Sequence, residues 1–179
     1  FTIRLNDRRI LRALAVAVGA ADRETELLVS LDKLDKIGRS GVSEELAGRS
    51  FSEATIEGVW RILDDNERSN AGWLAHLDAL LPGAVAGTAA LREVLDTCDG
   101  LGCAARVRVD PTLARGLDYY TGPVYETVVD EPKVGTIAAG GRYDGLVGMF
   151  SKRQVPAVGV SLGIERILVF PMYPQFSST

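Results

Sequence analysis

The feature that most constrains the fold is a change in hydrophobic period near residue 100. From about residue 22 to residue 99, apolar side chains recur every three or four positions, as in amphipathic helices. On either side they alternate with polar residues, as in strands with one buried face: Phe1, Ile3 and Leu5 before the helical run, Val107 and Val109 after it. A chain of 179 residues with this pattern can form one domain that carries a sizeable helical insertion.

Capping residues and glycines give the element boundaries. N-caps are predicted at Asn6, Ser43, Ser52, Asn70 and Thr88, and helix ends at Gly19 and Gly38. Strands are predicted over 105–109, 124–129, 133–139 and 155–162, and short helices over 143–150 and 163–170. The fold class is therefore α+β, a mostly antiparallel sheet flanked by helices with an inserted all-helical block. The predicted divisions are 1–20, 21–103, 104–170 and a tail, 171–179.

Composition excludes several classes of protein. The chain is 46% hydrophobic and 25% charged with a net charge of -4, so it is not a stand-alone basic nucleic-acid-binding domain. No apolar run approaches the ~20 residues of a membrane span, and we expect no membrane partner. Cys98 and Cys103 lack further ligands around them, which favours free thiols over a metal site. His76, the single histidine, is given no role.

Three short stretches combine glycine with guanidinium, phenol and carboxylate groups. Residues 114–122 contain Arg115, Asp118 and two adjacent tyrosines, and residues 138–145 repeat the same mixture. Residues 156–166 then bring Arg166 to a predicted strand-to-helix junction. Arginine and aspartate are costly to bury without partners, so these are not ordinary core segments. The structural alternative for the first stretch is a glycine-bounded turn closed by a local ion pair.

Together these stretches resemble the histidine-binding and ATP-binding motifs of the histidyl-tRNA synthetases, a family of class II aminoacyl-tRNA synthetases. The likeness is densest over 106–167, and the amino-acid sequence of 138–150 looks most like that of the eukaryotic cytosolic branch. Residues 1–9 also resemble the family segment that follows the second class motif. The resemblance implies a ligase that activates histidine with ATP and Mg²⁺ and transfers it to tRNA(His). It further implies a cytoplasmic homodimer, with a mitochondrial form as an alternative location.

The resemblance also assigns roles to the arginines. It places Arg115, the catalytic residue, beside the α-phosphate and the histidine carboxylate, and Arg166 at the γ-phosphate end of ATP. Always charged and planar, arginine suits the negative charge that develops on phosphate oxygens. Gly159 and Gly163 would let the adenosine lie close to the strand. The structural alternative for Arg166 is an ion pair with Glu165 or another surface acid.

The histidine pocket is assigned in the same way. Tyr120 and Tyr143 each offer an apolar ring and a hydroxyl that can pair with imidazole. Glycines 140 and 141 would let the backbone approach the amino acid, whereas Tyr119 is expected to face away from Tyr120 and to be structural. A second tier would orient these groups or simply close structural ion pairs: Asp118, Glu126, Arg142 and Asp144. No metal ligand is assigned within the protein, and Gly140, Gly141 and Arg115 complete the predicted pocket.

The resemblance also sets limits. The first and second class motifs are expected before Phe1 and the anticodon-binding domain after the chain, so the chain should be inactive in isolation. Two relatives of this family keep the fold without catalysis: the regulatory subunit of ATP phosphoribosyltransferase, and the uncharged-tRNA sensor of a starvation kinase. Both would be expected to lose the catalytic arginines, so Arg115 and Arg166 favour the enzyme. The helical block would approach the tRNA acceptor arm, with scattered Arg39, Arg49, Arg61 and Arg68 as weak support.

Overall fold

A five-stranded sheet organises the described part of the chain. The computed structural model describes residues 1–64, 68–114, 119–129, 131, 134–151 and 153–169. The strands are β1 (Thr2–Asp7), β2 (Val107–Val109), β3 (Pro123–Val129), β4 (Gly135–Arg142) and β5 (Val158–Leu162). Their order is β2-β1-β3-β4-β5; β1 and β2 are parallel and the other neighbours antiparallel. The predicted α+β class with a mostly antiparallel sheet is confirmed.

Helices fill the sequence between β1 and β2. They are α1 (Arg8–Ala17), α2 (Glu24–Leu31), α3 (Leu34–Gly48), α4 (Glu53–Leu63), α5 (Asn70–Leu80) and α6 (Val85–Gly100), and α7 (Ile164–Val169) follows β5. Gly38 adopts φ 69° and ψ 177°, which are not helical, so the predicted helix end at Gly38 is confirmed and a second helical segment of α3 continues from there to Gly48. None of the helices in the described ranges is both long and apolar enough to cross a membrane.

One continuous hydrophobic core joins the helical block to the sheet. Leu5 and Val107 of the sheet belong to the same buried cluster as Leu14 of α1, Leu46 of α3 and Leu77 of α5. Because apolar burial is the main favourable term in folding, the described helices and strands stabilise one another. The divisions at 20/21 and 103/104 stay predictions.

The predicted N-caps had mixed outcomes. Ser52 is confirmed, since its side chain accepts a hydrogen bond from the backbone of Thr55. Asn6 and Asn70 were wrong by one residue, because Asp7 caps α1 and Ser69 caps α5. Ser43 and Thr88 were also wrong. They lie inside α3 and α6, where each hydroxyl donates to a backbone carbonyl of its own helix.

The helix predicted over 143–150 is largely absent. That segment is a turn followed by a short 3₁₀ helix, Val147–Met149, while β4 extends as far as Arg142. Tyr143 instead continues the sheet edge, donating its backbone N–H to the carbonyl of Ala157. The helix predicted over 163–170 is present as α7, within the described residues.

Candidate active site

The two faces of the sheet have different environments. Side chains alternate along each strand, so Leu5 and Val107 pack on the helices while Arg4 points to the opposite face. The strand register aligns Arg4 with Glu126, and Glu126 with Ala139 of β4. This row forms the floor of a cleft of about 1220 Å³, bounded by the junction of α2 and α3 and by the start of α7.

Arg4 places a cation on the cleft floor. Its guanidinium donates to Asp110, which follows β2, and to Asp35 in the helical block, and its side chain is only 16% exposed. Burial opposes the charge, but Asp110 and Asp35 outweigh it and raise the pKa of Arg4 above its ordinary value. Arg4 therefore connects the sheet with the helical block from inside the cleft. The sequence analysis did not identify Arg4 as a site residue, although the alternation along β1 already predicted that its side chain lies on the face opposite Ile3 and Leu5.

Glu126 is a buried carboxylate beside Arg4. One oxygen lies 3.9 Å from the Arg4 guanidinium and the other accepts a hydrogen bond from the Thr136 hydroxyl. Only 7% of the residue is exposed, and it lines the cleft. The structure thus brings Glu126 to the cleft floor, where its contacts with Arg4 and Thr136 help to hold its orientation.

Two tyrosines, Tyr119 and Tyr120, line one end of the cleft, and Tyr143, which is not among the cleft-lining residues, packs against them. The ring centroids of Tyr119 and Tyr120 are 4.6 Å apart, and Tyr143 lies 5.7 Å from Tyr119 and 6.3 Å from Tyr120. Tyr120 is 9% exposed and packs with Leu113 and Val124, yet it also lines the cleft. The expectation that Tyr119 faces away from Tyr120 was wrong. The two residues lie in a turn and not in a strand, and both border the cleft.

Glycines in β4 and β5 make room for these rings. A Cβ atom at Gly141 would lie 2.9 Å from ring atoms of Tyr120, and one at Gly159 would collide with the hydroxyl of Tyr143. A Cβ at Gly140 would collide with the carbonyl of Gly159, to which Tyr125 donates at 3.0 Å. In this structure the space above these glycines therefore holds the protein's own tyrosines and backbone.

Arg166 lies at the opposite end of the cleft from the tyrosines. It is the third residue of α7 and donates to the carbonyl of Thr136 at 2.6 Å. Gly163 also lines the cleft, and its N–H donates to the carbonyl of Ile137, which fixes the start of α7 on β4. Arg166 and Tyr120 thus border one cleft.

The remaining predicted residues divide into two groups. Arg115 and Asp118 lie outside the described residues. Arg142 and Asp144 form an exposed ion pair at 2.9 Å, and the Asp144 N–H donates to the hydroxyl of Thr121. This is the structural arrangement that the sequence left open for them.

Asn6 fixes the loop that follows β2. Its side-chain amide is fully buried and donates to the carbonyls of Pro111 and Leu113, at 3.2 and 3.1 Å. Its oxygen accepts the N–H of Asp7. A buried asparagine satisfied in this way fixes both backbone segments relative to each other. The only sequence signal for this role was a polar residue on the non-core side of β1.

Within the described ranges, no three His, Cys, Asp or Glu side chains group closely enough to hold a metal ion. The carboxylates on the cleft floor, Asp110 and Glu126, instead face the guanidinium of Arg4. Both carboxylates are therefore engaged with Arg4 in this structure.

The curated proteins to which this chain is similar include histidine–tRNA ligases. The histidine–tRNA ligase of Aeropyrum pernix is 41% identical over 174 residues, which cover 94% of this chain and 38% of that protein. The chain spans about two fifths of the length of the curated relatives it matches. These relatives are archaeal and bacterial, and the particular resemblance to the eukaryotic cytosolic branch stays a prediction.

Solved structures agree in fold. Histidyl-tRNA synthetase from Nostoc sp. PCC 7120 matches with a TM-score of 0.85 and 29% identity, covering 98% of this chain and 42% of that one. An ATP phosphoribosyltransferase regulatory subunit/histidyl-tRNA synthetase from Bacillus halodurans C matches with a TM-score of 0.70 over 90% of this chain and 41% of its own. At 21% identity this second likeness shows the fold alone. Residues 1–167 match the protein family described as "Histidyl-tRNA synthetase". The chain belongs to the histidyl-tRNA synthetase family.

Proposed function

We propose that this chain forms the part of a histidine–tRNA ligase that holds histidine and ATP. In the first step a histidine carboxylate oxygen attacks the α-phosphorus of ATP; pyrophosphate leaves and histidyl-adenylate forms. In the second step a ribose hydroxyl at the 3′ end of tRNA(His) attacks the histidyl carbonyl and AMP leaves. The observation that carries the proposal is that Arg166 and Tyr120, from separate segments, border one cleft.

The tyrosine end of the cleft suits the amino acid. An imidazole ring carries one donor and one acceptor, and the hydroxyls of Tyr120 and Tyr143 can each donate and accept. A partly buried pocket with such groups binds amino acids that leave them unpaired more weakly, by ~10⁴–10⁵-fold in favourable cases. Tyr119 packs against both rings and would hold them in place.

The other end suits the nucleotide. Arg166 carries a permanent charge at the cleft edge, where it would contact the γ-phosphate end of ATP. We assign Arg115 to the α-phosphate from the family resemblance. Mg²⁺ would enter bound to the ATP phosphates, and no step above passes through it.

The rival function is a non-catalytic histidine or tRNA sensor. The likeness to the regulatory-subunit structure supports a shared fold and leaves activity open. A sensor needs histidine or tRNA but has no use for a triphosphate, whereas this cleft keeps a cation, Arg166, at its far end. That feature favours the ligase.

The test is histidine-dependent exchange of pyrophosphate into ATP, measured on the complete protein that carries this chain. We expect Arg166→Ala to reduce exchange by about 10²–10³, the usual loss when one preorganised transition-state contact is removed. Arg153→Ala is the matched control, because Arg153 is exposed and is not among the cleft-lining residues. Histidine binding without any exchange in the unmodified protein would favour the sensor.

Cytoplasmic location, a homodimer and inactivity of the isolated chain are further proposals.

We also propose contact between the helical block and the tRNA acceptor arm. Arg39 pairs with Asp64, and Arg49 pairs with Glu45. Arg68 stacks over Trp73. Unchanged tRNA affinity of the complete protein after replacing Arg39, Arg49, Arg61 and Arg68 together would refute this contact.

A further inference from the structure

The end of α6 has a specific hydrogen-bonding geometry. The N–H of Cys103 donates to the carbonyl of Cys98, and the N–H of Gly102 donates to the carbonyl of Asp99, both at 2.9 Å. Gly102 has φ +70°, in the left-handed region that glycine adopts without a steric penalty. These paired 6→1 and 5→2 bonds define a Schellman motif that ends the helix.

A Schellman motif brings the side chains at its two ends together. Here those ends are Cys98 and Cys103. The Cys103 thiol donates to the carbonyl of Cys98, with sulfur and oxygen 3.4 Å apart. Both residues are free thiols with partial solvent exposure. A disulfide needs Cα atoms about 4.4–6.8 Å apart, which suits two residues joined by a direct backbone hydrogen bond.

We propose that Cys98 and Cys103 form a reversible oxidation site, closing an intrachain disulfide when the protein meets hydrogen peroxide. One thiolate attacks the peroxide oxygen; the O–O bond breaks, water leaves after protonation and a sulfenic acid remains. The second thiolate attacks that sulfur, the S–S bond forms and hydroxide leaves as a second water. Two thiols lose two electrons and two protons, and one peroxide is reduced to two waters.

The disulfide would fix the turn that delivers the chain to the cleft. β2 begins four residues after Cys103, at Val107, and pairs with β1. Arg108 of β2 lines the cleft, and so does Asp110, which follows the strand and binds Arg4. A covalent link between α6 and this turn therefore restrains the edge of the cleft floor.

The reaction should depend on pH. Burial, together with the neighbouring Cys103, raises the pKa of Cys98, so less of its reactive thiolate is present at neutral pH. We expect the rate of disulfide formation to increase as pH rises from 7 to 9.

The test is peroxide treatment of this chain at low micromolar concentration, followed by alkylation and trypsin digestion. The tryptic peptide 93–106 contains both cysteines and no internal lysine or arginine. We expect it to lose two hydrogens, to resist alkylation and to recover on reduction with dithiothreitol. In Cys98→Ser and Cys103→Ser the remaining thiol should instead give a sulfenic acid that dimedone traps.

Two glycines give a matched control for the geometry. A Cβ at either Gly100 or Gly102 meets no atom within 4 Å, but only Gly102 has positive φ. Gly102→Ala should slow disulfide formation at least several-fold, while Gly100→Ala leaves it unchanged. The proposal is overturned if doses that oxidise the single-cysteine variants leave both thiols alkylatable in the unmodified chain. Equal rates in the two alanine variants, or disulfides only between chains, would also overturn it.

Discussion

The phenol of Tyr120 packs between two kinds of neighbour. Leu113 and Val124 surround it with hydrocarbon, and the rings of Tyr119 and Tyr143 lie within 6.3 Å of it. This packing limits the positions that the ring can occupy, so its hydroxyl is held in a defined place beside the cleft. A preorganised hydroxyl of this kind contributes to selectivity more than a mobile one does.

We therefore expect Tyr120→Phe in the complete protein to raise KM for histidine by about 10-fold or more, at the usual cost of a lost hydrogen bond. KM for ATP should change little. The control is Tyr125→Phe, which loses a hydroxyl bonded to the carbonyl of Gly159, from a residue that packs on the helix-side core. Equal effects of the two substitutions on KM for histidine would contradict the assignment of Tyr120.

Asp78 gives a prediction about pH. Burial alone would raise its pKa, but the hydroxyl of Thr88 and the guanidinium of Arg92 lower it below the usual value. A carboxyl whose folded-state pKa is lowered stabilises the fold above its unfolded pKa of about 3.9, and this contribution disappears as pH falls through the folded value.

Asp78→Asn should lower the free energy of unfolding by about 1 kcal/mol at pH 7, given the partial exposure of the pair. The difference from the unmodified chain should shrink below about pH 4. Urea denaturation between pH 3 and 7 measures it, with the exposed Asp96→Asn as control. A difference that grows on acidification would contradict the mechanism.

At the scale of elements, two pairs of consecutive residues, Asn6 with Asp7 and Ser69 with Asn70, determine how helices join strands. In each pair one side chain caps a helix and the asparagine binds a distant backbone. Asp7 caps α1 while Asn6 binds the 111–113 loop. Ser69 caps α5, whereas Asn70 donates to the carbonyl of Val107 and accepts the N–H of Val109. Asn70 thereby satisfies the outer edge of β2.

The second pair gives a testable consequence. Asn70→Ala should lower the free energy of unfolding by about 1–3 kcal/mol, because a strand N–H and carbonyl lose their partners. The measurement is chemical denaturation of this chain. Ala71→Gly is the control for helix propensity in the same turn, expected to cost up to about 1 kcal/mol. A loss from Asn70→Ala no larger than that of the control would refute the role of Asn70.

These pairs also explain where sequence reasoning succeeded and failed. Hydrophobic period predicted the helical block and the strands because it reflects burial on one face, which is a local signal. It could not choose between Asn6 and Asp7 as cap, since both residue types cap well and the choice depends on backbone more than 100 residues away. The helix predicted over 143–150 was wrong because a short apolar run does not distinguish an α-helix from the turn and 3₁₀ helix, Val147–Met149, that follow β4 here.

For the whole molecule, the cleft depends on contacts that sequence spacing does not encode. Arg4 reaches Asp35 of the helical block and Asp110 beyond β2, so the floor and one wall are joined by a single side chain. Tyr120 and Arg166 were identified from motifs, Glu126 was assigned to the second tier, and the fold brings all three to this cleft. Arg4 and Asp35 carried no motif, and their pairing follows only from the packing of α3 beside the sheet.

The central claim is that one cleft holds histidine at its tyrosine end and ATP at its arginine end. A crystal structure of the complete protein with histidinol and ATP tests it most directly. We predict the imidazole within hydrogen-bond distance of the Tyr120 or Tyr143 hydroxyl, and the triphosphate beside Arg166. Imidazole density away from both tyrosines, or a triphosphate bound outside this cleft, would contradict the claim.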